Sequence, residues 1–276
     1  MYLIILVAMA ISVYEMMMMM QPRLDDLFRN YVRFDPKADA AKAQTSLEYD
    51  SAIRPVHYKR LAVLCVALAS FLFLSTTLIE EDRSAGVIVF FVMLAMLSAV
   101  FATRGIEAEM ARVCGIIVSI VYAGLPWIVI WYLYVDVPGA RKLILTLAIV
   151  WLGDTGAYFG GRAFGKHKLA PNKSPKKTWE GAIAGLLSSV LAAFFVHKYY
   201  YTELPGGYVT AMFAALFGGI AGQMGDLVES VFKRFTLVKD SGKILPGHGG
   251  VLDRIDAVLF AAPVIWIILE TARLLK

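Results

Sequence analysis

Cysteine is almost missing from this sequence of 276 residues. Cys65 and Cys114 are the two, each in or at the edge of an apolar run. So placed, they give neither a disulfide framework nor a metal-ligand spacing. Histidine is as thin, four residues with no Cys/His cluster, so a bound metal would be held by hard oxygen ligands. Charged residues make up 18% of the chain. No basic stretch precedes the apolar run that begins at Met1, and Pro22 and Arg23 follow it. That end reads as a membrane anchor rather than a cleaved signal peptide. No internal repeat is visible, which argues against the inverted repeats of secondary transporters.

What is abundant is apolar. Hydrophobic residues are 59% of the chain and the mean hydropathy is +0.65, against roughly 45–50% apolar in soluble domains. The excess falls in runs long enough for the roughly 20 helical residues that cross a bilayer. The expected fold is therefore all-α, a polytopic transmembrane helical protein, and an open sheet is excluded because lipid cannot satisfy its edges. Eight spans are expected, at 1–20, 61–79, 86–102, 113–134, 143–160, 181–200, 207–225 and 252–272; a ninth, or a different split near 113–134, is the alternative. Basic loops (21–60, 103–112, 161–180, 226–251) alternate with loops poor in Lys and Arg (80–85, 135–142, 201–206). With the N-terminus outside, every basic loop lies in the cytoplasm; Arg273 and Lys276 run against this. The net charge of +5 is concentrated in loops, which suits the cytoplasmic side or an anionic ligand rather than nucleic acid. The expected organisation is an N-terminal membrane region, 1–140, with a polar cytoplasmic connector at 21–60, and a catalytic membrane region, 141–276. The run Met16 to Met20 reads as lipid-facing filler.

Candidate chemistry begins after Trp151. Asp154 interrupts an apolar run, and an acid within a span costs about 2.5–3.5 kcal/mol on insertion scales, so it has a partner or a role. Gly153, Gly156, Gly160, Gly161 and Gly165 thin the same helix, for close helix packing or for a ligand. At Ser174-Pro175-Lys176-Lys177 a turn is expected to open a helix. Two lysines beside its free N–H groups would suit a polyanion. Further on, Asp226, Glu229 and Ser230 share a helix face, as do Asp253 and Asp256. Gly247, Gly249 and Gly250 leave bare backbone before the last helix. Counted from the adjoining loops at 1.5 Å per residue, Asp154, Asp226, Asp253 and Asp256 all lie roughly 7–12 Å below the cytoplasmic boundary. Carboxylates at one depth repel unless a cation joins them, and Mg²⁺ bridging carboxylates and substrate phosphates fits.

Residues 230–256 resemble the phosphatidate cytidylyltransferase (CDP-diacylglycerol synthase) family. The matching positions are Ser230, Lys233, Arg234, Lys239, Asp240, Gly242, Pro246, His248, Gly249, Gly250, Asp253, Arg254 and Asp256. Residues 154–158 and 174–181 are similar to the family as well, so the likeness covers about 145–270. The sequence departs from the family at its front, where one hydrophobic segment stands instead of two, and at Asn172-Lys173, where an aliphatic residue often precedes Ser-Pro.

The resemblance implies transfer of a cytidylyl group from CTP to phosphatidate, giving CDP-diacylglycerol and pyrophosphate for phospholipid biosynthesis. It implies a multi-pass enzyme of the inner (cytoplasmic) membrane with its site facing the cytoplasm. Its partners would be CTP, phosphatidate and the bilayer, with a homodimer admitted, and its cofactor Mg²⁺, with room for a second cation. Asp226 and Asp253 are the first choices as metal ligands, Asp256 and Asp154 the second. Lys233, Arg234 and His248 complete the catalytic set. Ser174, Lys176, Lys177, Lys239, Gly249, Gly250 and Arg254 are assigned to substrate. The competing readings are a CTP-dependent lipid kinase, an ether-lipid cytidylyltransferase and, from another class, a membrane transporter.

Overall fold

The computed structural model describes residues 1–32, 59–76, 93, 106–171, 173–247 and 249–276. Seven helices among them are long and apolar enough to cross a membrane, and the protein is a polytopic all-α membrane protein. The span expected at 86–102, Met93 excepted, and most of the connector at 21–60 lie outside the described residues.

The described residues form two compact units, Met1–Leu125 with Phe235–Leu252, and Pro126–Arg234 with Asp253–Lys276. In the first, α1 (Tyr2–Val32) packs against α3 (Ile106–Ala123), and α2 (Lys59–Thr76) buries Leu61, Cys65, Leu72 and Phe73. The helix α1 outruns its expected end at residue 20 and passes through Pro22. Gln21 Nε2 donates to Asp25 Oδ1 at 2.6 Å, one turn on, and bridges the turn in which proline has no N–H to offer. The methionine run is not lipid-facing filler. Met16 and Met17 are fully buried, Met19 and Met20 nearly so, and Ser119 Oγ donates to Met17 Sδ at 3.6 Å. Unbranched thioether side chains fill the irregular space between helices.

The second unit contains α4 (Pro126–Val135), a 3₁₀ turn (Pro138–Ala140), α5 (Arg141–Phe164), a two-stranded hairpin, α6 (Trp179–Tyr199), and all but the terminal residues Phe235 and Leu252 of α7 (Gly207–Phe235) and α8 (Leu252–Leu274). The glycines of α5 serve helix packing. A Cβ at Gly156 would collide with Ser188 Oγ, and one at Gly160 with the Ala184 methyl. Between these helices Ser189 Oγ donates to the Ile149 carbonyl at 2.8 Å.

Two expectations about boundaries are corrected. Lys176 and Lys177 do not stand at a helix start: they lie on β2 (Ser174–Thr178), which pairs antiparallel with β1 (Lys168–Ala170). Ser174 precedes proline and is thereby biased to extended backbone, and Pro175 can occupy a strand that has no neighbour on its other side. The helix begins only after Thr178, whose side chain caps it by accepting from the Gly181 N–H at 3.2 Å. Likewise α7 does not end near 225 but at Phe235. Its last turn carries Lys233 and Arg234, cations that the helix dipole favours at that end.

Candidate active site

The site is built from four elements of the second unit. Asp154 comes from α5, Lys176 and Lys177 from β2, Asp226, Glu229 and Lys233 from α7, and Asp253, Arg254 and Asp256 from α8. On α7 the spacing i, i+3, i+7 puts Asp226, Glu229 and Lys233 on one stripe. Around these side chains lies a cavity of about 750 Å³, and all nine of them line it.

Within the cavity, charges pair in a definite order. Lys177 Nζ meets Asp226 Oδ2 at 2.5 Å. Lys233 Nζ bridges Glu229 Oε2 at 2.5 Å and Asp253 Oδ1 at 2.9 Å. Oxygens of Asp226, Glu229 and Asp256 approach within 4.8 Å of one another. Glu229 is wholly buried and Asp256 7% exposed. Glu229 Oε1 has no hydrogen-bond partner among the described residues. A buried carboxylate oxygen left unpaired beside two other carboxylates is costly unless a cation or a shared proton completes it. The three oxygens therefore fit a divalent ion of the hard, oxygen-seeking kind.

Most of the residues picked from sequence meet here, with a different internal order. Asp226 and Asp256 belong to the carboxylate trio, whereas Asp253, a first choice for the metal, is held by Lys233. Glu229 is not among the ligands expected from sequence, although it stands three residues after Asp226 on the same helix face. Asp154 lines the cavity without belonging to the trio. Arg162 and Tyr158 also line it, and the Arg162 guanidinium lies 3.3 Å from the Tyr158 hydroxyl. Ser174 and Arg234 fall outside the lining; Arg234 Nε reaches the Lys173 carbonyl at 3.4 Å. Lys239, Gly249 and Gly250 belong to the first unit, where Lys239 is exposed and Gly250 buried. His248 lies outside the described residues.

The hairpin that presents the lysines is tied down by Glu180. Its carboxylate accepts from the backbone N–H groups of Lys166 and His167 at 3.1 and 3.2 Å, and pairs with His167 Nδ1 at 2.6 Å. A mixed cluster of carboxylates and lysines, lining a cavity between apolar helices, can bind a polyphosphate with its cation and stabilise charge during phosphoryl displacement.

Several known proteins are similar to this chain over part of its length. Relatives named phosphatidate cytidylyltransferase include one from Staphylococcus epidermidis, 42% identical over 153 residues, or 55% of this chain and 57% of that protein. One from Haemophilus influenzae is 47% identical over 127 residues, 45% of this chain and 44% of that one. One from Staphylococcus aureus is 41% identical over 153 residues, with the same shares as the first. The chain thus spans about half the length of these relatives. The model of the cytidylyltransferase family matches far more, residues 40–272, a stretch that includes every residue lining the cavity, and the chain belongs to that family.

Proposed function

We propose that this protein transfers the cytidylyl group of CTP to phosphatidate, releasing pyrophosphate and forming CDP-diacylglycerol. The observation that carries this reading is the trio Asp226, Glu229 and Asp256 with an unpartnered buried oxygen, in a cavity that is also lined by the exposed cations Lys176, Arg162 and Arg254. An oxygen of the lipid phosphate forms the new bond to the α-phosphorus of CTP. The bond from that phosphorus to the bridging oxygen breaks, and its electron pair leaves with pyrophosphate. The nucleophile is already an anion, so no strong general base is required.

A divalent cation such as Mg²⁺, held by the trio, would offset the triphosphate charge and polarise the phosphoryl group under attack. Lys177 orients Asp226, and Lys233 orients Glu229 while holding Asp253, so both lysines set the shape of the acidic wall. Exposed Lys176, Arg162 and Arg254 supply charge-assisted hydrogen bonds to phosphate oxygens. In this reading the cavity end faces the cytoplasm, where CTP is found, and the enzyme sits in the inner membrane.

The test uses purified protein in mixed micelles with phosphatidate, Mg²⁺ and CTP labelled at either the α- or the γ-phosphate. Label from the α position should enter lipid, with release of pyrophosphate. Entry of γ label would identify a CTP-dependent lipid kinase instead, and preference for an ether-linked substrate an ether-lipid cytidylyltransferase. Entry of neither label would overturn the proposal.

A further inference from the structure

The first membrane helix carries an acid that the chemistry above leaves unused. Glu15 lies on α1 and is 2% exposed. A buried ionisable group within a span needs partners, and such groups mark function by default. Two of its partners are backbone amides. The Val251 N–H donates to Oε1 at 3.1 Å and the Leu252 N–H to Oε2 at 2.9 Å. Both donors belong to the same compact unit as Glu15, and they are the two residues preceding Asp253 in the chain.

The loop is shaped around this carboxylate. A Cβ at Gly250 would stand 2.6 Å from Glu15 Oε2 and would strike Ser241 Oγ, while a Cβ at Gly242 would strike Glu15 Oε1. Ser241 is itself buried, at 8% exposure. The loop is closed a second time where the Leu245 N–H donates to the Gly249 carbonyl at 3.0 Å. Gly242 and Gly250 are therefore small to make room for a carboxylate of the protein itself, and of the two only Gly250 belongs to the group expected to bare its backbone to substrate.

We infer that Glu15 is a positioning residue: its carboxylate fixes the conformation of the described parts of the glycine-rich loop, 241–247 and 249–252, and, through Val251 and Leu252, the start of the segment bearing Asp253 and Asp256. Two oxygens accept from two successive N–H groups, so the amide of glutamine can satisfy one and must turn a donor toward the other. A loop released in this way loses preorganisation for substrate, which raises KM more than it lowers kcat. The kinetic consequence rests on the cytidylyl-transfer reading; the structural one does not.

Amide hydrogen exchange over 241–252 in the purified full chain tests the structural arm. Glu15→Leu should speed exchange at Val251 and Leu252 at least tenfold, Glu15→Gln by less, and Glu15→Asp should restore part of the protection. Gly242→Ala reaches the same contact from the loop side and keeps the test available should Glu15→Leu not assemble. Unchanged exchange in Glu15→Gln and Gly242→Ala would overturn the inference.

Steady-state kinetics test the second arm. Glu15→Gln should raise KM for CTP roughly tenfold with kcat changed less. Faster exchange with both constants unchanged would make Glu15 a purely structural anchor and overturn its role toward substrate. If the wild-type protein incorporates no CTP, the cytidylyl reading fails, while the exchange data still decide whether Glu15 holds the loop.

Discussion

The second unit carries two clusters of charge, each around buried groups, and they are built on opposite plans. At one end Lys142, 2% exposed, lies between Asp136 and Glu270. Arg273 adds a second cation to the same two acids, at 3.2 and 3.4 Å. Two acids meet two bases, and the cluster is closed on itself. At the other end, roughly 18 Å along α5 at 1.5 Å per residue, five carboxylates line the cavity. Two lysines hold three of them. No Lys or Arg among the described residues lies within ion-pair distance of Asp154 or Asp256. A closed cluster ties helices together, because a buried ion pair is tolerated when each charge is met. An open cluster facing a cavity has capacity left for something from outside. The difference lies in pairing, since both ends use the same residue types.

The comparison breaks most sharply at the open end. Glu229→Gln and Asp256→Asn each keep the shape of the side chain and remove one negative charge from the trio. Either should lower incorporation of CTP into lipid by roughly a thousandfold, the equivalent of about 4 kcal/mol in the barrier, while the protein still purifies as a folded species. Near-normal turnover in both variants would mean that the trio is as structural as the Lys142 cluster.

At the closed end the same kind of change should affect stability instead. Lys142→Met leaves Asp136 and Glu270 facing each other with Arg273 alone. Breaking a buried pair from one side costs about 3–5 kcal/mol, and the low end applies because the two acids keep 26% and 21% of their side-chain surface exposed. The expected result is a clearly lower Tm in detergent with unchanged turnover per folded molecule. Lost turnover at unchanged Tm would place this cluster in the reaction.

How far each cluster was legible in the sequence follows from what one dimension can carry. Spans were legible because hydropathy comes in blocks, and depth was legible because helical rise is constant. Azimuth was not. Asp226 and Asp256 could be matched by depth, but nothing in the sequence separates Asp253, which turns to Lys233, from Asp256, which joins the trio. Lys176 and Lys177 are neighbours of the same type, and only the folded hairpin gives Lys177 to Asp226. The hairpin itself was hidden because strands of three and five residues are too short for a period to register. Arg273, which ran against the pattern of basic loops, is explained by its two acids. Glu15 was invisible for a different reason: the amides it holds lie 236 and 237 residues away.

A finer version of the comparison sets the two adjacent lysines of β2 against each other. Lys177 is committed to Asp226, whereas Lys176 is exposed, lines the same cavity and has no ion-pair partner among the described residues. Lys176→Ala should therefore remove a ground-state contact to phosphate. KM for CTP or phosphatidate should rise about tenfold, near 1.4 kcal/mol, with a smaller loss in kcat. Lys177→Ala should instead lower kcat, because it releases Asp226. Steady-state kinetics with each substrate varied in turn would show whether one lysine binds and the other orients; identical profiles would erase the distinction.

The smallest effect sharpens the closed end and is read by pH. Burial pushes the Asp136 carboxyl up, but the Lys142 hydrogen bond and charge, with help from Arg273, outweigh it and hold the group below its ordinary 3.8. A carboxylate whose folded value is depressed contributes stability above its unfolded value and loses it as pH falls through the folded one. Other carboxylates titrate in the same range, so the informative quantity is the difference in Tm between wild type and Asp136→Asn. That difference should stay constant from neutral pH down to about pH 5, then shrink as the pH passes below 3.8 and the wild-type Asp136 takes up its proton. The wild type should be the more stable of the two at neutral pH, by less than in the Lys142→Met comparison, because Glu270 remains to pair with Lys142 and Arg273. A difference that persists undiminished to pH 3 would mean that the charge of Asp136 is not what stabilises the fold, and the closed cluster would then be held by Lys142 and Glu270 without it.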